Sequence, residues 1–228
     1  MVRTTIALAT PHSRHDALEA DLRALPGLEV IRFRDTGTLT AETLTSINPR
    51  YVFFPHWSWK IPAEVFTKFE CVIFHMTDVP FGRGGSPLQN LIVRGFRDTK
   101  LTALRCVTEM DGGDVYLKRD LPLYGRAEDI LRRASDLTAE MIKTILAENP
   151  DPVPQTGEVT LFRRRTPADG SITKLTDLGQ VYDHIRMLDA EGYPPSFLEI
   201  DDLRLEFFDA NLTPDAVVAT VRITCRKP

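Results

Sequence analysis

Cys71-Val72-Ile73-Phe74-His75-Met76-Thr77-Asp78-Val79-Pro80-Phe81-Gly82-Arg83-Gly84-Gly85-Ser86-Pro87 is the stretch on which the reading of this chain turns. Four apolar residues make a strand, a histidine stands at its carboxyl end, and a loop carrying one arginine leads into a helix expected over 86–94. A strand with no polar face belongs inside a sheet buried on both sides. A histidine at such a strand end projects toward the crevice where α/β sheets bind ligands, and the strand holds it rigidly. A lone histidine is more often a satisfied core residue, but two features weigh against that here. Gly82, Gly84 and Gly85 around Arg83 carry a backbone-entropy cost that a plain connector avoids. A second loop, Met110-Asp111-Gly112-Gly113-Asp114, follows the next expected strand (101–107) and brings carboxylates to a strand end. Asp111 would there orient and charge the imidazole of His75 for proton transfer.

Outward from this stretch, strand and helix alternate. Apolar strands are expected at 5–10, 28–33 and 50–54, with helices over 15–25, 41–47 and 62–69 between them. The longest helix, 127–148, places Ile130, Ala134, Leu137, Met141 and Ile145 on one stripe. Repeated β-α-β predicts an α/β fold, a mostly parallel sheet with helices on both faces. The Pro-rich run 149–157 breaks both periods and reads as a linker, dividing a core of residues 1–150 from a small α+β annex of 151–228. The annex is expected to hold a strand at 159–163, a helix over 177–190, and a hairpin-like pair at 197–208 and 216–224.

Composition narrows the function classes. Hydrophobic residues at 43% and charged residues at 26% exclude a disordered, collagenous or coiled-coil chain. No apolar run is long enough to span a bilayer, and the first residues lack signal-peptide character, so a cytoplasmic location is expected. A net charge of −4 argues against a bulk polyanion partner, since phosphate contacts call for a basic face. Cys71, Cys106 and Cys225 show no zinc spacing and read as free thiols, with no metal expected. Glycine-rich dinucleotide and P-loop motifs are absent, as are G-x-S-x-G and H-E-x-x-H.

His75, Pro80, Arg83-Gly84 and Pro87, followed by Asp111-x-Gly113, match H-x4-P-x2-R-G-x2-P and D-x-G, and in this the chain resembles the 10-formyltetrahydrofolate-dependent formyltransferases. That family includes methionyl-tRNA, glycinamide ribonucleotide and nucleotide-sugar amine formyltransferases, and the segment 163–196 looks nearest to the bacterial sugar-amine members. The resemblance implies a Rossmann-like core with His75 and Asp111 catalytic and 10-formyltetrahydrofolate as formyl donor. It places the donor's pterin near Trp57, Ser58, Ile61, Met110, Gly113 and Asp114, and the amine substrate near Arg83, Thr77 and Asn90. One position departs from the pattern: the family's catalytic asparagine, two residues before the histidine, is Ile73 here. An isoleucine cannot donate to an oxyanion, and losing one such donor typically costs about 10²–10³ in rate. His56, Thr77, Ser86 and Asn90 are the candidates to replace it.

Each of these residues also has a plainer reading. Trp57 and Trp59 serve core or interface packing equally well, Arg83 could be a loop salt-bridge partner, and Arg163-Arg164-Arg165 a solvated edge. His12 and His15 are explained by capping or exposure. The leading expectation is an N-formyltransferase acting on a primary amine, most simply that of a nucleotide-linked aminosugar. The alternatives are a non-catalytic folate- or nucleotide-binding module, a methionyl-tRNA formyltransferase-like enzyme, and a formyl hydrolase. The hairpin at 197–208 is the expected means of joining two subunits into a homodimer.

Overall fold

A computed structural model describes residues 3–226. In chain order its elements begin with β1 (Thr4–Ala9), α1 (Asp16–Arg23), β2 (Leu28–Phe33), α2 (Ala41–Ile47), β3 (Tyr51–Phe54) and α3 (Ala63–Phe66). Then come β4 (Cys71–His75), β5 (Arg83–Gly84), α4 (Pro87–Ile92), β6 (Asp98–Arg105), β7 (Val115–Pro122) and α5 (Ala127–Glu148). The chain ends with β8 (Leu161–Phe162), α6 (Leu178–Arg186), β9 (Ser196–Ile200), β10 (Leu203–Leu212) and β11 (Val217–Cys225).

Local chemistry accounts for most boundaries. Ile6 to Ala9 are wholly buried, as a strand apolar on both faces must be. α1 turns Leu18 and Leu22 inward. Thr40 caps α2 by accepting the Thr43 N–H at 3.1 Å, and Asn48 ends it in the left-handed conformation. In α5, Ile130, Met141 and Ile145 of the expected stripe are fully buried.

The chain forms two compact units that interleave along the sequence. The first runs to Gly84 and resumes over Thr99–Leu121 and Arg132–Leu161. Its six-stranded sheet has the order β2-β1-β3-β4-β6-β7, with β2, β1, β3 and β4 parallel. From β1 the chain goes to β2 on one side and later to β3 on the other, so the switch point of the sheet lies between β1 and β3. The run 149–157 is no free tether: Val153 bridges Val115 through backbone hydrogen bonds of 2.8 and 2.9 Å.

The second unit comprises Gly85–Asp98, Pro122–Leu131 and the chain from Phe162 onward. α6 packs on β10 of an antiparallel three-stranded sheet ordered β11-β10-β9. Register puts Leu198, Leu205 and Ile223 in one row of one face, and Phe197, Glu206 and Arg222 in one row of the other. The wholly buried Arg186 donates to the carbonyls of Leu123 (2.7 Å) and Gly125 (2.9 Å) and pairs with Asp183.

Two strands depart from the sequence reading. The strand expected over 101–107 is β6, which starts three residues earlier and runs antiparallel to β4. β7, in which four of eight residues are charged or proline (Lys118, Arg119, Asp120 and Pro122), carries no clear apolar alternation and was not anticipated.

Candidate active site

β4 delivers His75 to the carboxyl edge of the parallel strands, where its side chain is 9% exposed. Ring Nε2 lies 2.8 Å from the Gly82 carbonyl oxygen, and Nδ1 lies 3.6 Å from Asp111 Oδ2. Both neighbours are acceptors, and a neutral imidazole carries one N–H, so it donates to only one of them at a time. A ring that gains a second proton serves both. The pair can therefore receive and return a proton, with the carboxylate orienting the ring.

Asp111 reaches this place by a route different from the expected one. Because β6 is antiparallel to β4, its carboxyl end lies beside the start of β4, with Arg105 opposite Val72. The loop 106–114 must fold back to bring Asp111 to His75. Two residues make that course. Asp111 sits at φ +51°, a left-handed conformation that Asp tolerates better than most residues. Gly113 lies so close to β6 that a Cβ there would stand 1.9 Å from the Arg105 carbonyl oxygen. Asp111 Oδ2 also accepts the Gly84 N–H at 2.8 Å, which ties the two motif loops together.

Arg83 is buried between the same loops. Its Nε and Nη2 donate to Gln155 Oε1 at 3.1 and 2.9 Å, Nη1 bonds Glu109, and its backbone N–H donates to Thr160 at 3.0 Å. The guanidinium thus holds protein acceptors, the loop-partner arrangement that was one of its two expected readings. Gln155 Nε2 donates in turn to the carbonyls of Asp111 and Gly113, both at 2.8 Å. Neither Gln155 nor Glu109 was anticipated: their partners are 26 to 72 residues away, and no local pattern announces such bonds.

The remaining expected residues are distributed as follows. Thr77 is buried beside His75, its hydroxyl donating to the same Gly82 carbonyl at 3.3 Å. Asn90 belongs to the second unit, where Nδ2 faces the carbonyls of Gly85, Ser86 and Arg163 at 2.9–3.1 Å. Ser86 Oγ accepts the Arg165 N–H at 3.0 Å. Those two candidates for the missing amide are therefore engaged in fastening their own loop. Ile73 is partly buried and packs against two core clusters, one that includes Phe54 and Cys106 and one formed by Val79, Leu104 and Val115. In the loop after β3, Trp57 packs edge-on to Phe54 (5.9 Å) and Trp59 (4.8 Å), and Ile61 joins the same cluster. Its buried indole Nε1 has no hydrogen-bond partner. Ser58 and Met110 are exposed, while the carbonyls of Gly113 and Asp114 each already accept one internal bond.

A second group of histidines occupies the switch point. His12 follows β1 and His56 follows β3, with ring centroids 4.5 Å apart, and His15 lies 6.5 Å from both. Burial, then His12 and Arg14, lower the pKa of His15 and of His56 to about 3, so both rings are neutral at ordinary pH. His15 Nδ1 bonds Ser135 Oγ at 2.8 Å, and its Nε2 has no hydrogen-bond partner, like the hydroxyl of Thr10. His12 and His15 were expected to be mere helix-start residues; the fold assembles them with His56 across 44 residues. Among the described residues no group of three or more His, Cys, Asp or Glu side chains is arranged to hold a metal ion. No described helix is long and apolar enough to cross a membrane.

Comparison with known proteins bears on this architecture. Residues 167–224 match the methionyl-tRNA formyltransferase C-terminal domain. The solved structure of a methionyl-tRNA formyltransferase from Clostridium thermocellum superposes with a TM-score of 0.95 at 44% identity, covering 98% of this chain and 100% of that one. The methionyl-tRNA formyltransferase of Rickettsia massiliae is 28% identical over 174 residues, 73% of this chain and 57% of its own. The chain thus spans little more than half the length of the curated relatives it matches. HypX from Aquifex aeolicus, solved with tetrahydrofolic acid, shares the fold at a TM-score of 0.72 and 21% identity over 90% of this chain and 37% of that one. The coverage and identity of the Clostridium structure, on a sheet that carries His75 and Asp111 in the family's motif, establish that this chain belongs to the formyltransferase family.

Proposed function

We propose that this protein transfers a formyl group from 10-formyltetrahydrofolate to a primary amine. The observation that carries the reading is the His75–Asp111 pair at 3.6 Å on the edge of a formyltransferase sheet, with Asp111 also bonded to Gly84 of the arginine loop. The amine lone pair attacks the formyl carbon and the carbonyl electrons move onto oxygen. The resulting tetrahedral intermediate collapses, breaking the bond to the folate N10, which takes a proton and leaves as tetrahydrofolate. His75 accepts the proton that the attacking nitrogen sheds and returns it to the departing one, with Asp111 balancing the charge of the imidazolium between the two transfers. The imidazole N–H also supports the developing oxyanion, in part standing in for the amide that Ile73 cannot supply. Trp57 suits the donor's flat ring: it offers an aromatic face beside Trp59 and an N–H without a protein partner.

For the acceptor we propose a small amine, of which a nucleotide-linked aminosugar is the class. From Phe162 to Arg226 the chain has eight Lys and Arg against eleven Asp and Glu, the opposite of a tRNA-gripping face. Its arginines are also turned to carboxylates of the same unit, as in Arg163 with Asp169, Arg204 with Glu199, and Arg222 with Glu206. Methionyl-tRNA is the second reading, favoured by the name of the Clostridium relative at 44% identity. Formylation of nucleotide-linked aminosugars and of methionyl-tRNA should be measured side by side with 10-formyltetrahydrofolate as donor. Turnover of the sugar with none of the tRNA supports the first acceptor. Tight, salt-dependent tRNA binding with turnover supports the second, and formate release without any amine would replace transfer by hydrolysis.

A further inference from the structure

We propose that Gln155 is a positioning residue for the His75–Asp111 pair; the inference rests on the formyl-transfer reading for its kinetic consequence, not for its geometry. The side chain of Gln155 is saturated. Its oxygen receives two N–H groups of Arg83 and its nitrogen donates to two carbonyls of the aspartate loop, at distances of 2.8–3.1 Å. Turning the amide over would set NH2 against a guanidinium and oxygen against two carbonyls, so only one orientation fits.

The consequence follows from what Gln155 holds. One of its two carbonyl partners belongs to Asp111 itself, the residue held at φ +51°. The other belongs to Gly113, which lies against β6 too closely for any side chain. Arg83, on the other side of the amide, is followed by Gly84, whose N–H fixes Asp111 Oδ2. Gln155 therefore closes a ring of contacts running from Arg83 through Gly84 and Asp111 back to its own amide. The anchor comes from a separate segment, pinned to β7 by the Val153–Val115 bridge. A carboxylate 3.6 Å from Nδ1 is just outside hydrogen-bond range, so a drift of an ångström decides whether it serves the imidazolium.

Gln155→Glu in the full chain is the discriminating variant. It keeps the shape and the Arg83 contact, and it replaces the two amide donors by an oxygen facing carbonyl oxygens. The expected result is a kcat lower by about 10- to 100-fold with the donor KM changed by less than about threefold. The ring nitrogens of His75, read by two-bond 1H–15N NMR, should move in the direction that Asp111→Asn moves them. A purely structural glutamine would lower the thermal midpoint and leave both readouts of the folded protein alone. Unchanged kcat in a wild type that turns over, or a His75 ring that ignores Gln155→Glu while answering Asp111→Asn, would overturn the proposal. A ring that answers neither change would overturn it too. If the wild type transfers no formyl group, the functional reading fails, and the NMR comparison still decides the role of Gln155. Should Gln155→Glu not fold, Gln155→Met offers similar length without polar atoms and carries the same two readouts.

Discussion

Histidines meet the carboxyl edge of one parallel sheet in two places, and their surroundings are opposite. His75, after β4, faces a carboxylate and a carbonyl and sits in a network where most polar groups have partners. His12, His15 and His56, after β1 and β3, face one another, with Arg14 close to His15 and His56 and Asp16 acting on His15. Burial first, then the neighbouring His12 and Arg14, keeps His15 and His56 neutral, whereas His75 has a carboxylate and a carbonyl within reach.

The largest test of that contrast is at the first place. His75→Ala should lower kcat by about 10²–10⁴, the usual contribution of a positioned acid–base group, and Asp111→Asn should fall in the same range. Equivalent losses are not expected from His12→Ala or His56→Ala, whose rings pack on each other after β1 and β3 rather than beside Asp111. Rates of N-formyl product formation for the four variants check this, and a His56→Ala loss equal to that of His75→Ala would erase the distinction.

Next in size is a change of stability. Gly113→Ala puts a methyl group where the Arg105 carbonyl oxygen already stands, at 1.9 Å, so the loop must shift. Overpacking of this kind costs about 1–3 kcal/mol. Urea denaturation would show it, and an unaltered midpoint would mean that the loop has room to move.

The neutral histidines give a pH signature of comparable size. His15 has its pKa lowered from 6.5 to about 3 by burial and neighbouring positive charge. Below pH 6.5 the unfolded chain takes up a proton there that the folded chain refuses, so stability falls as pH drops from 6.5 toward 3 and is flat above. At pH 5 the loss from this residue is about 2 kcal/mol. His15→Gln should shrink the stability difference between pH 7 and pH 5 by that amount. An unchanged difference would show that His15 is not held neutral.

Legibility in the sequence followed the range of the interaction. The strand 71–75 and the motif spacing from His75 to Asp111 were readable because apolar runs and fixed loop offsets are local facts. The two residues meet as expected, yet the expected reason was mistaken, since nothing in residues 98–105 says which way that strand runs beside its neighbour. Gln155 looked like part of a Pro-rich tether because its four bonds span 42 to 72 residues. The histidines of the switch point were separately unremarkable at 12, 15 and 56, and only the adjacency of β1 and β3 makes them a group. Arg83 was found by its motif, and of its two readings the loop partner is the one seen, in Glu109 and Gln155, because a guanidinium in sequence does not declare what will meet it.

The smallest expected effect tests what fills the place of the missing amide. Ile73 is embedded among Leu104, Val79 and Val115, and Ser86 and Asn90 are engaged in the second unit. Of the other two candidates, His56 packs on His12 after β3, and Thr77 lies beside His75: its hydroxyl shares the Gly82 carbonyl with His75 Nε2, at 3.3 Å against 2.8 Å. At that length the bond is weak, and the hydroxyl is free to turn toward a developing oxyanion at little cost. If His75 alone carries the oxyanion, Thr77→Val removes only a brace and kcat falls by less than about threefold. If the hydroxyl has taken over from the amide, the loss reaches about 10²–10³, the worth of one such donor. The geometry favours the smaller number, because the hydroxyl already donates to the Gly82 carbonyl that His75 Nε2 also faces. A measured loss near a hundredfold would reverse that preference and make Thr77 the third member of the catalytic group.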